Sequence, residues 1–152
     1  MKGYRISVIR HGRTAANDSG IYIGRTDFPL SDKGAAELSQ KQDTYIYPRV
    51  ARVYSSPLQR CLETAEILFP DVPIQTVDNL IEMDFGTFEG KSTEELIDRP
   101  EFKTWIKGGL ECRPPEGESV VGNHQVIPVR FLGEHLGADI LQSTDCHGVR
   151  QP

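Results

Sequence analysis

At 152 residues, with 38% hydrophobic and 26% charged side chains, the chain has the make-up of one ordinary soluble domain (1–152), large enough to close a core without a disulfide or metal staple. Its formal net charge of -5 sets the overall field against a polyanion, which argues against nucleic acid as a partner; a small anion needs locally clustered arginines instead. Cys61, Cys112 and Cys146 form no CxxC pair and leave one over, and no run reaches the length of a signal h-region or a membrane span. Free thiols, a cytoplasmic setting and no membrane partner are the expectation.

Tyr4 to Ile9 is short and β-branched and reads as a buried first strand, followed by a long polar loop with Gly12, Gly20, Gly24 and Pro29. Loops of this length carry function more often than structure. Leu30-Ser31-Asp32 offers an N-cap to a helix over about Lys33 to Gln42, and Arg52 to Ser55 reads as a second strand. Ser56-Pro57-Leu58-Gln59 has the form of a helix start, with Ser as N-cap, Pro at the first helical position and Gln completing a capping box. Leu58, Cys61, Leu62, Ala65 and Leu68 then recur on one helical face, Pro70 and Pro73 end that helix, and Ile74 to Val77 supplies a third strand. Ser92-Thr93-Glu94-Glu95 is a second capping box, a short helix over Phe102 to Lys107 carries the only Trp, and Gly108 to Gly117 reads as loop. From Ser119 onward Gly122, Pro128, Gly133 and Gly137 interrupt the helical pattern, and Asp139 to Ser143 is a weakly apolar strand candidate. Alternation of strand and helix implies an α/β fold with a parallel sheet and helices on its faces, a three-layer sandwich.

In such a sheet, ligands sit beyond the carboxyl ends of the strands, and charged groups cluster there. Arg10-His11 follows the first strand, Arg60 lies in the first turn of the helix after the second, and Glu82 follows the third. Guanidiniums gathered around one histidine repel each other unless an anion joins them, whereas around a phosphate they bind its oxygens bidentately. A neutral imidazole is then a nucleophile, and a nearby carboxyl group can supply a proton to the departing oxygen.

Five blocks in order carry a family resemblance: Arg10-His11-Gly12 with Thr14 and Asn17; Gly24 and Asp27-Phe28-Pro29-Leu30-Ser31 with Gly34; Ser55-Ser56-Pro57-Leu58 with Arg60, Thr64 and Ala65; Glu82 with Phe85-Gly86 and Glu89-Gly90; and Pro115-Glu116-Gly117-Glu118-Ser119. Together, over residues 4 to 119, they resemble the histidine phosphatase superfamily, which includes the cofactor-dependent phosphoglycerate mutases. The resemblance implies that His11 becomes phosphohistidine, that Arg10 and Arg60 bind phosphate with a further hydrogen bond from Asn17, and that Glu82 is the proton donor. The family pattern closes on a second histidine in a Thr-His-Gly-Gly-like turn. Here the corresponding text is Ser143-Thr144-Asp145-Cys146-His147-Gly148-Val149, without the second glycine, so His147 is the candidate and the segment from about 120 to 152 reads as divergent or incomplete. His124 and His135 read as surface histidines.

Competing motifs fall short. Gly86 to Ser92 has three residues between its glycines where a P-loop has four. A cysteine phosphatase needs Arg six positions after its Cys, where this chain has Ile67, Glu118 and Pro152. No HExxH or CxxC spacing is present, so neither a metal nor another cofactor is expected. Asp84 and Glu89 are acid candidates ranking behind Glu82, and Arg13 and Arg25 are loop arginines within possible reach of a substrate. The expected activity is hydrolysis of a small phosphorylated metabolite, with two alternatives open: a mutase, although the family's mutases carry longer mid-chain insertions, and a catalytically impaired member that binds phosphate without turnover.

Overall fold

The structure, a computed structural model, describes residues 5–120. Its elements are α1 (Ala15–Asp18), α2 (Asp32–Thr44), β1 (Val53–Ser55), α3 (Gln59–Leu68), β2 (Ile74–Thr76), α4 (Thr93–Leu96) and α5 (Pro100–Lys107), with 3-10 turns at Asp78–Leu80, Gly86–Phe88 and Gly109–Glu111. The segment read as a first strand is not one: residues 5–10 are exposed and irregular, with Val8 88% accessible. The physical reason is pairing. A β-branched run becomes a strand only when a neighbour takes its backbone hydrogen bonds, and no described residue pairs with 5–10.

β1 and β2 pair in parallel, Val53 opposite Ile74 and Ser55 opposite Thr76, and α3 connects them across one face, which is the crossover that parallel strands require. The parallel α/β reading therefore holds. α2 begins where Ser31 predicts, its hydroxyl accepting the Gly34 N–H at 3.0 Å, and it packs on α3 through Leu30, Leu38 and Leu68. Gly34 admits no side chain, because a Cβ there would lie 2.1 Å from the Arg13 carbonyl oxygen.

The start of α3 differs from expectation. The helix is capped at Leu58, two residues later than the Ser56 capping box implies, and Pro57-Leu58 forms a bend leading into it. The first-turn N–H of Gln59 goes instead to the Asp27 carboxylate at 2.7 Å, so a cap supplied from the long loop replaces the local one. The second box is found as read: Ser92 and Glu95 satisfy each other's backbone N–H groups at the start of α4.

A second core is aromatic. Phe88, Leu96 and Phe102 are almost fully buried, and Tyr22, Phe85 and Trp105 surround them, with ring centroids 5.5–5.9 Å apart in mostly edge-on geometry. This cluster anchors the loop after β2. Beside it the chain around Tyr22 runs antiparallel to Gly90-Lys91-Ser92, with Tyr22 N–H on the Lys91 carbonyl and Gly90 N–H on the Tyr22 carbonyl. Two distant loops are thereby brought side by side. Among the described residues, no helix is long and apolar enough to cross a membrane.

Candidate active site

His11 is half-buried, and its Nδ1 lies 2.7 Å from the carbonyl oxygen of Gly12. A carbonyl only accepts, so Nδ1 carries the proton of the neutral ring and Nε2 is left with its lone pair. Burial is the main influence holding the imidazole below its ordinary value of 6.5; the Gly12 carbonyl opposes it, the Arg60 and Arg10 guanidiniums reinforce it, and Glu82 pulls the other way. The sign follows directly. At neutral pH the ring is neutral and nucleophilic, and it is protonated only as the pH falls through that lowered value. In a proton NMR titration, the imidazole signal that disappears in His11→Ala is expected to titrate with a midpoint under 6.5; a midpoint at or above 6.5 would contradict this account.

The backbone behind His11 is tied to α3. Gly12 N–H donates to the Thr64 hydroxyl at 2.9 Å, and that hydroxyl donates back to the Arg60 carbonyl at 2.6 Å. Thr64 and Arg60 lie four apart, so they share one helix face, and that face meets the loop carrying the histidine. Sequence reading noticed Thr64 only as part of a matching block; the i, i+4 spacing from Arg60 is the signal that could have assigned it this linking position.

Arg60 is 2% accessible. Its guanidinium donates to the carbonyls of Thr26 at 3.0 Å and Gly24 at 2.7 Å, and among the described residues no carboxylate neutralises it. Burying a guanidinium without a counter-ion is costly unless its donors are met, and two backbone carbonyls meet part of that need while leaving the positive charge in place. The same charge is felt at His11. Arg10 and Glu82 are exposed, and each acts on His11 electrostatically, as Arg60 does.

Asn17 serves first as a structural residue. Its Oδ1 accepts the Thr14 N–H at 2.9 Å, closing a capping box that begins α1, so only its amide N–H2 is left for a ligand. His147 lies outside the described residues, as do His124 and His135. Arg13 pairs with Asp18, and Arg25 with Glu118 and Asp84, which makes both ion-pair residues of the surface.

Glu89, read as an acid candidate, is an acceptor hub. Oε1 receives the N–H groups of Gly24 at 2.8 Å and of Arg25 and Phe85 at 3.1 Å, while Oε2 receives the Thr26 hydroxyl at 2.7 Å. Its oxygens are thus committed to holding loop backbone and the Thr26 hydroxyl in place. Cys61 is half-buried beside the site, and burial pushes its thiol above the ordinary range, the opposite of what a cysteine nucleophile needs. Among the described residues no three metal-ligating side chains cluster.

A parallel pair of strands crossed by α3 thus frames an imidazole that lies within the field of two guanidiniums and a carboxylate. The sequence profile of the histidine phosphatase superfamily (branch 1) matches residues 6–124, and the chain belongs to that superfamily. The adenosylcobalamin/alpha-ribazole phosphatase of Escherichia coli strain K12 is 32% identical over 133 residues, 84% of this chain and 64% of that protein. The acid phosphatase of Mycobacterium tuberculosis strain H37Rv is 32% identical over 99% of this chain and 74% of its own length. The crystal structure of the alpha-ribazole phosphatase from Shigella flexneri superposes with a TM-score of 0.72 at 26% identity, over 82% of this chain and 63% of that one. The chain spans about three-fifths of the length of the alpha-ribazole phosphatases it matches.

Proposed function

We propose that the protein is a metal-independent phosphatase that hydrolyses a small phosphomonoester through a phosphohistidine at His11. The observation that carries this is the His11 ring itself: Nδ1 is engaged by the Gly12 carbonyl, and the ring is held neutral beside two guanidiniums. Nε2 attacks phosphorus as the bond to the ester oxygen breaks, and Glu82 delivers a proton to that oxygen as the alcohol leaves. Glu82, now a carboxylate, takes a proton from water whose oxygen attacks the phosphohistidine, releasing inorganic phosphate and the free imidazole. Arg10 and Arg60 hold the equatorial oxygens through both steps, the Asn17 amide adds a hydrogen bond, and His147 is the proposed second histidine. Relatives named as phosphatases of alpha-ribazole, of phosphoserine and of acid type favour hydrolysis over transfer to a second substrate.

The test is to trap the intermediate. With a chelator present, a phosphomonoester bearing radiolabelled phosphate is mixed with the protein and quenched in alkali. Label that is stable to base, labile to acid and recovered on the peptide containing His11 is the expected result. Label on another residue, turnover that stops with the chelator, or a folded protein that neither acquires label nor releases phosphate would each overturn the reading.

A further inference from the structure

We infer that Glu89 is the positioning residue that sets Arg60 against the phosphate and holds the Glu82 loop in register with it. The inference rests on the proposed phosphate site and names the part that aligns it. Glu89 and Arg60 hold the same short segment, the carboxylate at Gly24, Arg25 and Thr26 and the guanidinium at Gly24 and Thr26. The carboxylate takes the N–H groups of Gly24 and Arg25 and the Thr26 hydroxyl, while the guanidinium donates to the carbonyls of Gly24 and Thr26. The segment is a strap whose donors go to one charge and whose acceptors go to the other.

The same carboxylate also reaches the Glu82 side of the site. Oε1 takes the N–H of Phe85, three residues after Glu82, and the two loops meet backbone to backbone: a Cβ on Gly24 would lie 1.9 Å from the Met83 carbonyl oxygen. Only glycine permits that approach. Glu89 is itself held firmly. Phe88, immediately before it, is 1% accessible in the aromatic core, and Gly90, immediately after it, donates to Tyr22 in the antiparallel pairing. Glu89 engages neutral N–H and O–H groups and leaves the guanidinium unneutralised, so its negative charge orients the strap without competing for the cation that the ligand needs.

The experiment is a double-mutant cycle read by inorganic phosphate affinity, with thermal melting recorded on every variant. Glu89→Gln is expected to weaken phosphate binding about tenfold in the wild-type background and to have little effect in an Arg60→Ala background, because coupled residues are non-additive while independent ones add. Thr26→Val removes a single Glu89 bond and is expected to give a smaller, about threefold loss with the same dependence on Arg60; it decides the matter if Glu89→Gln does not fold. Equal losses in both backgrounds, or unchanged affinity in a folded Glu89→Gln protein, would overturn the positioning role alone. Equal phosphate affinity in wild type and Arg60→Ala would instead overturn the phosphate site on which it rests.

Discussion

His11→Ala is expected to lower kcat/KM for phosphate release from a phosphomonoester by roughly ten-thousand- to million-fold, the scale on which removing a covalent nucleophile acts. Among the described residues, neither Cys61 nor Glu89 can replace it: Cys61 is pushed toward its protonated form by burial, and Glu89 has committed its oxygens to loop hydrogen bonds. The loss should leave the fold almost untouched. Among the described residues the His11 side chain makes one hydrogen bond, to the adjacent residue, and such a bond contributes only about 1 kcal/mol. The expected pattern is therefore a nearly normal thermal melt with turnover at background, and the check is to measure both on one preparation. Turnover within tenfold of wild type would remove His11 from the chemistry.

The contrast between that residue and its surroundings shows what could be read in the sequence. Features encoded within a few residues of each other were legible. Ser31 before α2 and the Ser92–Glu95 box before α4 lie where their side chains say they should, because a cap is a contact between neighbours in the chain. The electrostatic company of His11 was legible for another reason: motif order named Arg10, Arg60 and Glu82, and all three act on the His11 ring.

Features decided by distant partners were not legible. Ser56 and Gln59 have the spacing of a capping box, yet Asp27 arrives from the long loop and takes the Gln59 N–H, so the helix starts later. The β-branched run before His11 has strand composition, but composition supplies no neighbour, and the described residues at 5–10 stay unpaired. Asn17 looked like a ligand to phosphate and half of its amide belongs to the α1 cap. Glu89 and Glu82 are alike in type and lie in the same acidic loop; only the fold shows that one accepts from five donors and the other is exposed within the electrostatic reach of an imidazole.

Arg60→Ala is expected to damage both stability and activity, because the side chain has two occupations. Its removal strands the Gly24 carbonyl in a buried position and releases the part-buried Thr26 carbonyl, and a lost hydrogen bond from a charged donor is worth about 1.5–3 kcal/mol. With partial relaxation of the loop, the expected loss in unfolding free energy is about 2–4 kcal/mol. In the reaction it removes a fixed positive donor from the place where charge accumulates, an effect that typically costs roughly 100- to 1000-fold in rate. Arg60→Lys separates the two occupations. An ammonium keeps the charge but lacks the planar fork, so it cannot reach both carbonyls and still present parallel donors to a phosphate. The lysine variant is expected to recover part of the melting temperature while kcat/KM stays well below wild type. If lysine instead restores full turnover, the site needs only a positive charge near His11, and the geometry that Glu89, the strap and the buried guanidinium maintain has no part in catalysis.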